Sequence, residues 1–373
     1  MRRHSCVPRP DWVSIVEGLG LLHHSHDQGP YWDESACYEL SAREVDLLES
    51  AANEVYARCL EAAQRALDQP HWDTLGIPAG LADWIRQSWD RDDFSLYGRF
   101  DFAWNGTGAP KLLEFNADTP TALLEASVIQ WQWLETTRRG ADQFNSIHER
   151  LIEAWRKSGA FDAHFSCLRD HLEDLQTTQY LQDTAHQAGL ATTFLPLDDI
   201  GWDPRRQRFL DLENKAIATC FKLYPWEWLT TEAFAEFLPH APTRWVEPPW
   251  KWLLSGKGLL PLLWEMFPSH PNLLPAFAHD RHGLRDFVRK PRWGREGANI
   301  TIHRGGQVTE SSPGNYADQG FIDQALAPMA RFGDAHPVFG VWIIDHQATG
   351  LGIREDTSPI TTNLSRFVPH FFR

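Results

Sequence analysis

The chain has 373 residues, enough for two or three domains that share a buried core and a cleft. With 42% apolar, 23% charged and 12% aromatic residues it belongs to the globular class, which excludes disordered, collagen-like and coiled-coil chains. Its net charge of −15 repels phosphate backbones and anionic lipid, so neither nucleic acid nor a membrane is an expected partner.

The opening MRRHSCVPRP lacks the apolar segment of a secretory signal, and no later apolar run approaches the ~20 residues of a spanning helix; a cytoplasmic location is expected. Ser41 followed by Glu44 is a capping box, and Val45, Leu48, Ala52, Val55 and Cys59 recur at helical spacing, which predicts a long amphipathic helix over 41–68. FSLYGRFDFAW alternates as a half-buried strand does, Asn-Gly-Thr-Gly-Ala-Pro breaks the chain, and KLLEFNAD resumes a strand: a hairpin. Asp118-Thr119-Pro120 reads as a helix start, with the helix running over 122–135 and its free amides offering an anion site. Helical spacing returns over 142–156 and 172–188. AIATCFKLY, LRDFVRK, ANITIHR with its Gly305-Gly306 turn, GFIDQAL and VFGVWIID read as strands. Helices early and hairpins late predict an α+β or mixed α/β fold with antiparallel elements, and make a doubly wound sheet the less expected arrangement.

The five cysteines are odd in number and never form a CxxC pair, which disfavours a disulfide framework or thiolate zinc site and predicts reduced, mostly buried thiols. The 17 histidines form no HExxH pair. Many of the 18 tryptophans cluster in CFKLYPWEWL and RWVEPPWKWLL, either as core and lobe interface, the favoured reading, or as a stacking groove.

Two stretches carry chemistry. Pairing Trp104 with Lys111 across the hairpin sets Asp101 opposite Glu114 and Arg99 opposite Asn116, all on one face. Two facing carboxylates repel unless a cation lies between them, either magnesium, with Asp101, Glu114 and Asn116 as oxygen ligands, or Arg99 alone. The second stretch is VRKPRWGREGANITI, a strand over 287–290, a loop over 291–297 and a strand over 298–303. GxxxxGK[ST] is missing and no GxGxxG opens a helix, so a P-loop is excluded. The stretch is either a flap over phosphates, with Gly294 and Gly297 admitting close backbone approach and Lys290 and Arg295 supplying charge, or an ordinary basic loop. Lys257 in SGKGLLPLLWEMF stands at a helix entrance, and Arg354 in GLGIREDTSPITTN is suited to clamp a transferring phosphoryl group.

In order, RFD, LLEFNADTP, the Lys257 run, RKPRWGREGAN, FIDQAL and GLGIRED resemble the synthetase domain of the glutathionylspermidine synthase family, and in particular its stand-alone acid–amine ligases, which lack the amidase half; the resemblance runs from about residue 20 to the C-terminus. It implies a circularly permuted ATP-grasp fold, because Glu114-x-Asn116 precedes the lysines, with a helical N-terminal segment over 1–95, a metal hairpin and substrate-side lobe over 96–215, and nucleotide-binding lobes over 216–373. It implies Asp101, Glu114 and Asn116 as ligands of two Mg²⁺ ions, with Glu114 bridging, and Arg99 and Arg354 as catalytic groups. Lys257, Lys290, Gly294, Arg295, Glu296 and Gly297 would hold ATP phosphates, and Gln324, Ala325 and Leu326 the adenine. The implied reaction joins a small-molecule carboxylate to an amine, peptide or polyamine included, through an acyl phosphate. The alternatives are an ATP-dependent phosphotransferase acting on a hydroxyl, or a non-catalytic nucleotide-binding or interaction protein.

Overall fold

The computed structural model describes residues 1–69, 71–281 and 283–373. Its centre is a five-stranded antiparallel sheet in the order Arg366–Phe367, Gln347–Asp356, His336–Ile344, Tyr97–Ala103, Lys111–Asn116. The long helix Ala42–Asp68 lies on one face. Its start is the expected capping box: Ser41 Oγ accepts from the Glu44 amide at 3.3 Å and Glu44 returns a carboxylate oxygen to the Ser41 amide at 2.8 Å, a device that stabilises by about 1 kcal/mol. Leu48, Val55, Phe100, Phe102, Phe115, Val341 and Leu351 merge into one core between helix and sheet. On the other face Tyr97, Trp133, Ile147, Trp342 and Ile344 form a second core.

The strand Tyr97–Ala103 is therefore buried along its whole length and not half-buried as its alternation predicts. Phe100 and Phe102 enter the helix-side core, while Arg99 and Asp101 share the Tyr97 face, where charged groups replace an apolar layer. The register matches the expected pairing at Asp101↔Glu114 and Arg99↔Asn116, but a bulge after Asp101 sets Lys111 opposite Ala103 and not Trp104.

A second antiparallel sheet, the flap sheet, runs Ala276–Phe277, Phe321–Ala325, Phe287–Pro291, Thr301–Arg304, Gln307–Ser311. A third is wholly parallel: Arg244–Val246, Thr219–Leu223, Asp162–Cys167, Ala191–Phe194. Its βαβ crossover uses the helix Leu172–Gln187, as long as expected but serving a parallel pair that the antiparallel expectation omits. A small sheet joins the chain ends, with Ala36–Leu40 between Arg2–Ser5 and His370–Phe372.

Two expected helices begin late. The segment read as helical from residue 142 starts at Ile147, because Asp142 and Asn145 bridge to Phe372 and Gly350. After the hairpin, helix begins at Leu123 and widens into a π-turn over Glu125–Ile129 before Gln130–Thr137. Asp118 caps no helix that follows it in sequence; its carboxylate instead meets the first amide of the distant helix Trp226–Leu229. It accepts from Lys222 Nζ at 2.6 Å and from the Trp226 amide at 2.9 Å, both fully buried. The tryptophan clusters are core: Trp226, Trp245, Trp250 and Trp252 are buried, and only Trp228 among them reaches the cleft described below. All five cysteines are free thiols, four of them buried. Among the described residues no helix is long and apolar enough to cross a membrane.

Candidate active site

The three sheets meet around a cleft of about 360 Å³. All fourteen residues singled out in the sequence line it: Arg99, Asp101, Glu114, Asn116, Lys257, Lys290, Gly294, Arg295, Glu296, Gly297, Gln324, Ala325, Leu326 and Arg354.

The hairpin sets the charge pattern. Arg99 grips Asp101 with two parallel bonds, 2.7 and 3.0 Å, and donates a third to Thr121 O at 2.6 Å. Thr121 stands where a free helix terminus was expected, so a carbonyl occupied by Arg99 replaces the expected anion-binding amides. Arg354 approaches Asp101 from the neighbouring sheet region at 3.6 Å. Glu114 pairs with Lys257 at 2.9 Å, and Lys257 also donates to Gly294 O at 2.6 Å. Asn116 Nδ2 lies 3.3 Å from both Asp101 and Glu114. Arg99 thus bonds Asp101 directly and acts on Glu114 only through space, where lysine is the main partner. Burial works to raise the Glu114 carboxyl, yet Lys257 and Lys290 prevail and hold it down at about 2.

This donor set fits magnesium. Asp101 and Glu114 present carboxylate oxygens across one rung of the ladder, and the Asn116 amide between them offers its oxygen after a simple flip. Hard oxygen ligands of this kind, one or two carboxylates with the remainder from water and phosphate, suit Mg²⁺.

The flap sheet is fastened to the hairpin backbone. Lys290 Nζ donates to Leu113 O at 2.9 Å and to Gln324 Oε1 at 2.8 Å, while Gln324 Nε2 donates to Leu112 O at 2.9 Å. Burial draws the Lys290 ammonium down to about 8. The amides of Ala325 and Leu326 are taken by Pro275 O at 2.7 Å and Asp286 O at 3.2 Å. In the loop after Pro291, Glu296 and Gly297 have φ of 56° and 69°, and a Cβ on Gly297 would lie 2.3 Å from Thr361 O. Only glycine lets the loop close against that carbonyl. Arg295 anchors the loop by donating to Thr119 Oγ1 at 2.8 Å and pairing with Glu227, its guanidinium 5.4 Å from the Trp228 ring.

The opposite part of the cleft was not read from the sequence. It lies at the carboxyl ends of Asp162–Cys167 and Thr219–Leu223, the two parallel strands whose neighbours were added on opposite sides, a topological switch point that favours ligand crevices. Leu168, His171, Glu173 and Asp174 follow the first strand into the cleft, Pro225 and Trp228 follow the second, and Tyr31 joins them from the N-terminal region. Behind Tyr31, burial reinforced by Glu173 pushes the Glu125 carboxyl up to about 7. Paired acids at the end of a short strand are the one signal that sequence offers here, and it does not distinguish a cleft from a solvated turn.

Comparison with known proteins places the chain in a family. The chain is 38% identical to a Haemophilus influenzae protein named "Putative acid--amine ligase", over the full length of both. It is 29% identical to trypanothione synthetase of Crithidia fasciculata across 80% of this chain and 50% of that protein, and 28% identical to the bifunctional glutathionylspermidine synthetase/amidase of Escherichia coli across 78% and 51%. The chain therefore spans about half the length of these last two relatives. Among solved structures, a glutathione synthetase-like effector from Globodera pallida superposes with a TM-score of 0.58 at 10% identity, covering 99% of this chain and 100% of that one, so the mixed α/β fold is of the glutathione synthetase-like kind. Residues 3–373 match the glutathionylspermidine synthase preATP-grasp profile, and the chain belongs to that family.

Proposed function

We propose that this protein is an ATP-dependent ligase that joins a small-molecule carboxylate to an amine through an acyl phosphate, working in the cytoplasm on a circularly permuted ATP-grasp scaffold. What supports the reading most is one juxtaposition: an oxygen-donor hairpin and two lysines from a glycine-bearing flap sheet and an adjacent helix start converge on a single cleft. In this reading 216–373 supplies the nucleotide side, 96–215 the metal hairpin and substrate side, and 1–95 the buttress beneath.

Asp101, Glu114 and Asn116 would hold two magnesium ions, which when bound supply charge neutralisation and polarisation of the γ-phosphoryl group. Lys257 and Lys290 meet the phosphates, Lys257 exchanging Glu114 for phosphate oxygen. Residues Gly294 to Gly297 cover them and exclude water, which would hydrolyse an acyl phosphate. Adenine lies by Gln324, Ala325 and Leu326, where the last two amides are already bonded to protein carbonyls. Arg99 and Arg354 spread over the charge that gathers as the substrate carboxylate attacks phosphorus and ADP departs. The amine then attacks the carbonyl carbon, phosphate leaves and the amide forms. The acids Glu173 and Asp174, which follow the strand Asp162–Cys167 into the cleft, suit a cationic amine.

The test is a screen of amino acids, peptides and polyamines for Mg²⁺-dependent ADP release, with mass spectrometry of the product. An amide with stoichiometric ADP and phosphate is the expected result. A phosphoester product would replace the ligase with a phosphotransferase, and no ATP turnover with any pair would remove the enzyme reading.

A further inference from the structure

Outside the cleft, the small sheet that joins the chain ends holds a second cluster of chemically competent groups. Cys6 follows the strand Arg2–Ser5 and donates its amide to Ser35 O at 2.7 Å; Cys37 lies on the neighbouring strand opposite His4. Two residues apart on one side of the pairing, the two side chains share a face, and their sulfurs are 3.1 Å apart. Arg138, at the end of the helix Gln130–Thr137, directs one guanidinium nitrogen at both, 3.1 Å from Cys6 Sγ and 3.4 Å from Cys37 Sγ. That guanidinium is held between the rings of Trp133 and Phe371, at 5.3 and 5.6 Å, so its direction is fixed by packing. A guanidinium is a donor only, and a neutral thiol is a poor acceptor; a thiolate is a good one. The arrangement is built for a sulfur anion next to a second sulfur.

We propose that Cys6 and Cys37 are a reversible thiol–disulfide modification site, oxidised by hydrogen peroxide. The pair differs in the way such a reaction requires. Cys6 is partly exposed and Cys37 is fully buried, so an oxidant reaches Cys6 first. The bond from Cys37, followed by Arg138 and His4, draws the Cys6 thiol down to about 6, while the same bond holds the Cys37 thiol up. Cys6 is the attacking sulfur and Cys37 the resolving one.

In the first step the Cys6 thiolate attacks one peroxide oxygen. The O–O bond breaks, hydroxide leaves and Cys6 becomes a sulfenic acid, oxidised by the two electrons that reduce the peroxide. In the second step Cys37 sulfur attacks Cys6 sulfur. The S–S bond forms, the S–O bond breaks, and the Cys37 proton leaves with the departing hydroxide as water. In sum, two thiols and one peroxide give one disulfide and two waters. The product ties residues 6 and 37 and staples the N-terminal strand to its sheet. That strand carries Arg3, whose guanidinium holds Glu355 at 2.8 and 2.7 Å, the residue after Arg354.

The experiment treats the fully reduced, full-length protein with hydrogen peroxide, blocks remaining thiols, and maps peptides without reduction. The expected result is loss of two free thiols, recovery of one Cys6–Cys37 linked peptide, return of both thiols with dithiothreitol, and Cys59, Cys167 and Cys220 unmodified. In Cys37→Ser the same treatment leaves a sulfenic acid on Cys6 that a dimedone probe captures, and in Arg138→Gln oxidation slows several-fold. Both variants lie outside the cleft and keep ATP turnover. Over-oxidation of Cys6 without a link, a disulfide between chains, or oxidation of the buried cysteines at an equal rate would each overturn the proposal.

Discussion

The two sides of the cleft are built on opposite principles. On the flap side, charged groups are donated by adjacent antiparallel strands, so residues two apart in sequence fall together: Arg99 with Asp101, Glu114 with Asn116. On the other side the cleft is lined by residues that follow parallel strands, His171, Glu173 and Asp174 after one and Pro225 and Trp228 after the other, and the ion pair made from the second strand is long-range: Lys222, within Thr219–Leu223, meets Asp118 across 104 residues. The first is a local design, in which neighbours in sequence are neighbours in space. The second is a frame, held by a buried ion pair that has no solvent to compensate for its loss.

The sharpest way to separate them is to break one charge on each side. Asp118→Asn leaves the Lys222 charge buried without its carboxylate, with only Tyr224 O at 3.0 Å and the Trp226 ring left to meet it, since the two side chains are 1% and 0% exposed. The expected loss is about 3–5 kcal/mol of stability by denaturant unfolding; a change under ~1 kcal/mol would show that the pair is no frame. Glu114→Gln is expected to do the reverse, lowering kcat by about 10²–10³ with an unfolding midpoint close to the parent's. Retained turnover would remove Glu114 from the metal site.

Smaller effects refine the flap side. Lys290→Ala removes a charged donor and is expected to weaken ATP binding by about 10- to 100-fold by calorimetry. In the parent, Lys290 carries its proton below about 8 and loses it above. Therefore kcat/KM for ATP should fall as pH rises through about 8, and Lys290→Arg, charged throughout, should abolish that limb. A flat profile in the parent would contradict the assignment. The smallest change is expected from Glu173→Gln, a several-fold rise in the KM for the amine with the KM for ATP unmoved; a rise in both would mean that the two sides are not independent.

The same contrast explains what the sequence made legible. RFD and EFN alternate with period two, and one break between them fixes their register where it matters, so the facing of Asp101 and Glu114 could be written down in advance. The bulge that shifts Lys111 could not, because no residue type marks it. Asp118-Thr119-Pro120 carries every local mark of a helix cap, yet its carboxylate is taken by a buried lysine 104 residues later and by the Trp226 amide. Of the parallel strands only Thr219–Leu223, within AIATCFKLY, read as a strand; the others are short, and Asp162–Cys167 buries polar residues such as His164 and Ser166, so neither an apolar run nor clean alternation marks it. The acids at its end stayed hidden with it.

The most direct measurement is metal binding at the hairpin. Mn²⁺, in place of Mg²⁺, is titrated with a non-hydrolysable ATP analogue into the parent protein and into Glu114→Gln and Asp101→Asn, and the free ion is followed by electron paramagnetic resonance. The parent should take up manganese only together with nucleotide, and both variants should lose that uptake while remaining folded. Equal uptake by all three proteins would move the metal, and with it the phosphates, away from Asp101 and Glu114.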